Sequence, residues 1–185
     1  VINTIKNGWL STAKKIPSPN FDERSDPADI SLLVIHNISL PPEQFGGGYI
    51  EQFFCNQLDP NTHPYFASIC ELTVSAHCLI TREGDLIQFV PFDKRAWHAG
   101  VSSFEGRDKC NDYSIGIELE GADAIDYTDE QYTTLLKLTQ QLTEAYPSIT
   151  TERITGHSHI APGRKTDPGE AFDWSRFFAE LTHHA

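Results

Sequence analysis

The chain has 185 residues and a formal net charge of −12, with 39% apolar and 22% charged residues spread along its length. That length supports one well-cored domain over residues 1–185, and no apolar run approaches the roughly 20 residues of a membrane helix. The acidic balance disfavours nonspecific contact with nucleic acid, an anionic membrane or a wall, so an anionic small substrate needs locally placed Lys or Arg.

The opening Val1-Ile2-Asn3-Thr4-Ile5-Lys6 has neither the apolar h-region nor the small-residue cleavage site of a secretory signal, so a cytoplasmic location is expected. The first strand is predicted at Leu32–His36, an apolar run that delivers an imidazole at its exit. A helix follows from Tyr49 to Gln57, carrying Ile50, Phe53 and Phe54. Strands at Ser75–Thr81 and Asp85–Val90 are joined by Arg82-Glu83-Gly84, a connection that predicts an antiparallel hairpin. In the strand Ser114–Glu120, Ile115, Ile117 and Leu119 alternate with Gly116, Glu118 and Glu120, which puts two carboxylates on one face. That face cannot be an ordinary core face.

Thr128-Asp129-Glu130-Gln131 has the form of a capping box, and Tyr132, Leu135, Leu136, Leu142 and Tyr146 follow at helical spacing until Pro147. A short strand is read at Thr151–Thr155. Asp173 caps a last helix with an apolar stripe of Phe177, Phe178 and Leu181, and His183 and His184 close it facing its dipole. The fold class is therefore α/β (α+β), a central mixed β-sheet flanked by helices. Cys55, Cys70, Cys78 and Cys110 have no CxxC spacing and are read as free thiols.

The stretch from Thr155 to Gly169 carries the chemistry: His157, His159, Lys165 and Asp167 lie on a backbone turned by Pro162-Gly163 and Pro168-Gly169. Catalytic zinc sites use three protein ligands and leave a position for water. His36, His157 and either Asp167 or His159 can supply them; spacing alone leaves the third open. Glu118 can serve as the base toward water and Lys165 as the cation toward an oxyanion. Glu120, on the same face, can exchange roles with Glu118. His63 sits in an exposed turn context, and His77 is either a pocket-lining or a core histidine. His98, beside Trp97, has the composition of a ligand pocket.

Several segments together carry a family resemblance: Pro17-Ser18-Pro19-Asn20-Phe21-Asp22, Leu33-Val34-Ile35-His36-Asn37, Val74-Ser75-Ala76-His77-Cys78, Lys94-Arg95-Ala96-Trp97-His98-Ala99-Gly100, Cys110-Asn111-Asp112-Tyr113-Ser114-Ile115-Gly116-Ile117-Glu118 and the stretch just described. In this order, over nearly the whole chain, they resemble the AmpD-like zinc amidases of the peptidoglycan-recognition superfamily. The resemblance implies one Zn²⁺ per chain held by His36, His157 and Asp167, with His159 left out, and Glu118 and Lys165 as the catalytic pair. It implies cleavage of the lactyl–L-Ala amide of 1,6-anhydro-N-acetylmuramoyl-peptides in cell-wall recycling, by a monomer. Asn37, His77, Trp97, His98 and Lys109 are read as substrate contacts. Thr73 and Lys109 stand where such proteins carry arginine, so contacts to peptide carboxylates are expected to be weaker or redistributed; lysine keeps the charge but not the fork. Two rival readings are a muropeptide-binding module without catalysis and an amidase acting on intact wall. Phe45-Gly46-Gly47-Gly48 is read as a hinge for a lid reaching to Phe66.

Overall fold

The computed structural model describes residues 5–183, so the reading of His184 falls outside it, as does that of the His183 side chain. Six strands form the central sheet: β1 (Lys14–Lys15), β2 (Leu32–Ile38), β3 (Cys78–Ile80), β4 (Leu86–Gln88), β5 (Ser114–Glu120) and β6 (Ile154–Gly156). Their order is β6-β2-β5-β3-β4-β1. Strands β6, β2, β5 and β3 are parallel, β4 returns antiparallel to β3, and β1 lies parallel to β4 at the edge.

Strand β5 lies at the centre, and every one of its residues is buried. One of its faces presents Ile115, Ile117 and Leu119, which join Leu33 and Ile35 of β2 in a core closed by α3 (Asp129–Ala145) and α5 (Trp174–His183). The predicted capping box of α3 is fully formed, with Thr128 Oγ1 accepting from Gln131 N at 3.1 Å and Gln131 Oε1 accepting from Thr128 N at 3.1 Å. Burying both faces of a central parallel strand is the usual condition of such sheets. Here the second face carries Ser114, Gly116, Glu118 and Glu120 instead of aliphatics. Two smaller clusters flank that polar row. One is built on Leu32, Val34, Tyr113 and Ile160, the other on Leu79, Phe54, Phe66 and Phe89 with α1 (Tyr49–Phe54) and α2 (Pro64–Ala67).

The hairpin is antiparallel as expected, with Gly84 at a φ of 83°. Its strands are shorter than the predicted runs because the chain leaves the ladder to serve other partners. Ser75 accepts from Trp97 N at 3.0 Å through its hydroxyl, and Ser18 N binds Phe89 O at 2.9 Å. The helix read to Gln57 stops at Phe54, where Asn56 takes a φ of 58° and locks its amide to Asn20. The strand read at Thr151–Thr155 is instead a single 3₁₀ turn, Thr151–Arg153, followed by β6, because Arg153 turns back to bind Ser31 O at 2.5 Å. All four cysteines are free.

Candidate metal centre

Sheet register assembles the site. Glu118 of β5 pairs with His36 of β2, and Gly156 of β6 pairs with Ile35, so His157 follows directly beside His36. Residues paired across a parallel ladder point to the same side. His157, His36 and Glu118 thus form one row on the polar face, at the carboxyl ends of three parallel strands, where ligands bind in open α/β sheets. After β6 the chain makes one helical turn, α4 (His157–Ile160), and then the loop from Ala161 to Gly169 brings Asp167 back onto the row.

Three donor atoms meet there. His36 Nδ1 lies 3.0 Å from His157 Nδ1 and 3.0 Å from Asp167 Oδ2, and the last two are 3.1 Å apart. These three side chains form a group able to hold a metal ion. His157 Nε2 is 3.0 Å from the carbonyl oxygen of Ala99, which can only accept, so the neutral ring carries its proton there and leaves a lone pair on Nδ1. That lone pair faces a carboxylate oxygen with no proton between them, an arrangement that a cation reconciles. Ligands held 2.0–2.1 Å from a tetrahedral Zn²⁺ lie roughly 3.3 Å apart, so the donor set and its spacing fit zinc.

The electrostatics agree. Burial lowers His36 to about 4, against the pull of Asp167, so it is neutral and able to ligate at physiological pH. Burial pushes the Asp167 carboxyl up, but the apposed His157 and His36 rings outweigh it and hold the group below the usual range. Glu118 is raised well above an ordinary glutamate by burial, then by the nearby Asp167 charge, with Lys165 opposing. Its Oε2 is buried and has no hydrogen-bond partner among the described residues.

These groups form the polar end of a cavity of about 380 Å³. Its other walls are apolar or aromatic, including Phe53, Tyr65, Ile69, Leu72 and Trp97, and Lys165 stands exposed at its rim. The two glutamates of β5, equivalent by alternation, separate here. Glu120 is buried and accepts from Gly46 N at 2.5 Å and Arg82 N at 3.1 Å, so it is an anchor for two loops and cannot exchange with Glu118.

The remaining histidines also sort. His159 is exposed against the Trp174 ring, 6.4 Å between centroids, and lies outside the ligand group. His63 caps α2 by accepting from Tyr65 N at 3.1 Å. His77 is the core histidine of its two readings. It is fully buried, accepts from Gly116 N at 3.0 Å and contacts Lys94 O at 3.0 Å, and it does not line the cavity. His98 does line it, yet both its ring nitrogens are engaged on the protein side, with His36 and Ser114. Asn37 also lines the cavity, but its amide donates to Asp123 Oδ1 at 2.8 Å and Pro168 O at 3.1 Å, holding the loop that carries Asp167. Lys109 is exposed in a neighbouring groove with Val101 and Arg164, away from the cavity, and Thr73 is exposed between two cavity-lining residues.

Sequence reasoning missed three contributors. Tyr127 donates to Pro168 O at 2.7 Å alongside Asn37. Gly116 gives the His98 ring its room, and Asn111 accepts from the backbone N–H of both His98 and Ala99. The one available signal was Gly116, a glycine at an inward position of an otherwise well-formed strand, which marks close approach.

The sequence profile of the family described as N-acetylmuramoyl-L-alanine amidase matches residues 26–170. The 1,6-anhydro-N-acetylmuramyl-L-alanine amidase AmpD of Citrobacter freundii is 58% identical over 178 residues, covering 96% of this chain and 95% of that protein. A crystal structure of a selenomethionine derivative of AmpD superimposes with a TM-score of 0.92 at 59% identity, covering 95% of this chain and 97% of that one. A complex of the N-acetylmuramyl-L-alanine amidase AmiD of E. coli with the substrate anhydro-N-acetylmuramic acid-L-Ala-D-γ-Glu-L-Lys is more distant. Its TM-score is 0.61 at 28% identity, covering 83% of this chain and 58% of that one.

Proposed function

The chain belongs to the N-acetylmuramoyl-L-alanine amidase family, and on that premise we propose that it is a cytoplasmic, zinc-dependent enzyme of cell-wall recycling. It hydrolyses the amide joining the lactyl group of 1,6-anhydro-N-acetylmuramic acid to L-Ala, acting as a monomer. The observation that carries this reading is the row of His157, His36 and Glu118, in which convergent lone pairs stand beside a buried carboxylate oxygen with no partner among the described residues.

His36, His157 and Asp167 hold one Zn²⁺, which when bound supplies Lewis acidity toward the scissile carbonyl and toward water. Glu118 takes the proton of the attacking water at Oε2 and delivers it to the leaving amine of L-Ala. The burial that raises its carboxyl well above an ordinary glutamate makes Glu118 a stronger base toward that water. Lys165, carried to the cavity rim by the loop after α4, offsets the negative charge that develops on the carbonyl oxygen. Trp97 and the apolar wall seat the non-reacting part of the muropeptide and keep water from it. Thr73, exposed between two residues of the cavity wall, leaves a peptide carboxylate less tightly held than an arginine there would.

The test is metal content together with cleavage of anhydro- and reducing muropeptides. One zinc per chain and preferential cleavage of the anhydro substrate are expected. Metal-free protein that binds without cleaving would establish a binding module, and equal cleavage of intact wall would establish a wall-degrading enzyme. Glu118→Gln is expected to lower turnover roughly 10²–10⁴-fold and Lys165→Ala roughly 10²–10³-fold, both with zinc retained. Near-normal hydrolysis by either variant removes that residue from the mechanism.

A further inference from the structure

We propose that the dipeptide His98-Ala99, clamped by Asn111, is the outer support that orients both histidine ligands, and that His98 is a positioning residue and not a substrate contact. The proposal rests on the zinc reading of the His36–His157–Asp167 group.

Each histidine in that group turns Nδ1 toward the other donors and presents Nε2 to this one segment. His36 Nε2 lies 2.9 Å from His98 Nδ1, and His157 Nε2 lies 3.0 Å from Ala99 O. The segment is itself fixed from behind: Asn111 Oδ1 accepts from His98 N at 3.1 Å and from Ala99 N at 2.8 Å. A single side-chain oxygen therefore sets the position of both outer partners.

The His98 ring has no freedom to look elsewhere. It meets the His36 ring edge-on, with an interplanar angle of 86°, which is the geometry for an in-plane N–H aimed at a ring nitrogen. Its Nε2 lies 3.0 Å from Ser114 Oγ, and the ring fills the space above Gly116, where a Cβ would fall 2.4 Å from His98 Cγ. When Nδ1 of His36 ligates, the ring proton of His36 is on Nε2. His98 Nδ1 then accepts it and His98 Nε2–H donates to Ser114 Oγ. The reverse polarity, with a proton on His98 Nδ1, requires His36 to carry its proton on Nδ1, where it blocks the metal. The Ala99 carbonyl, which only accepts, fixes the ligating tautomer of His157; His98, which can take either role, holds the His36 ring in place and accepts its Nε2 proton once Nδ1 ligates.

The experiment compares the full-length wild type with His98→Leu, which removes the acceptor, and His98→Asn, whose Oδ1 takes the place of Nδ1. Zinc affinity is measured by chelator competition and muropeptide KM at saturating zinc. A 10–100-fold loss of zinc affinity is expected in His98→Leu, with most of it recovered in His98→Asn and KM little changed in either. In the zinc-loaded wild type, a through-hydrogen-bond coupling between His36 Nε2 and His98 Nδ1 is expected in the nitrogen spectrum, a readout that needs no variant to fold. A folded His98→Leu with wild-type zinc affinity overturns the proposal, as does a raised KM with unchanged affinity or the lack of that coupling. If the wild type itself takes up no zinc, the metal reading fails first and this inference falls with it.

Discussion

Replacing Gly116 by alanine tests how the centre is supported without touching any ligand. Gly116 is not at a positive φ, so alanine costs nothing in backbone conformation there. The new methyl carbon would lie 2.4 Å from His98 Cγ, 2.5 Å from Nδ1 and 2.8 Å from Cδ2. Ordinary carbon contacts begin near 3.5 Å, so something must move by roughly 1 Å. The strand cannot, because Gly116 is paired in register with Val34 and bonded twice to His77, donating from its N to the ring Nδ1 at 3.0 Å and accepting at its O from His77 N at 3.0 Å. The ring must yield, stretching its bonds to His36 and Ser114. Overpacking of about 1–3 kcal/mol plus weakened buried hydrogen bonds of about 1 kcal/mol gives an expected loss of about 2–4 kcal/mol. In a chain of this size that lowers Tm by roughly 4–16 °C, and zinc affinity is expected to fall roughly 10–100-fold. The assay is thermal unfolding with and without zinc, in a cycle with His98→Ala. Removing the ring should make the added methyl nearly neutral. A Gly116→Ala loss that is the same size in the His98→Ala background would refute the reasoning, as would wild-type stability and zinc affinity in the single variant.

Three further outcomes are expected. Glu120→Ala leaves the part-buried N–H bonds of Gly46 and Arg82 without their acceptor, so it should cost about 1–3 kcal/mol in chemical denaturation while folded molecules still turn over, the opposite split from Glu118→Gln. Asp167→Ala should abolish tight zinc binding in a chelator assay, whereas His159→Ala should leave it unchanged; the converse result would reassign the third ligand. His77 is held at about 3 by burial and then by the Arg24 charge, below the ordinary 6.5 of the unfolded chain. Its contribution to stability is therefore complete above pH 6.5 and is lost as pH falls toward 3, at about 1.4 kcal/mol per pH unit. His77→Asn should flatten that acid limb, and an unchanged pH profile of unfolding would show that His77 does not set it.

Legibility in the sequence followed how local the determinant is. Strand β5 was read with both its ends because strict alternation leaves no other register, and the start of α3 was read because Thr128 and Gln131 cap it within four residues. His36 and His157 stand out in the sequence because each comes directly after a run of strand-forming residues. Alternation states only which face a side chain takes, not who stands opposite it. Glu118 and Glu120 are therefore equivalent in sequence, and only the arrival of Gly46 and Arg82 from distant segments tells them apart. For the same reason His98, seen beside Trp97, reads as the pocket residue it is, while its ring partners, 62 positions back at His36 and 16 positions on at Ser114, stay out of sight. The 3₁₀ turn before β6 was hidden because it depends on Arg153 reaching the carbonyl of Ser31, a long-range demand that overrides strand propensity.

The pairing of His36 with Glu118 also bears on how the chain avoids misfolding. Pairing β5 one residue out of step against β2 would set Ile117 or Leu119 beside His36 and turn Glu118 toward the aliphatic core under α3. A buried carboxylate without a partner is costly there, so the slipped sheet has no stable form to settle into. Folding fidelity and the proposed chemistry are then a single selection: the two side chains assigned to the site penalise the one-residue slip of the strands that present them.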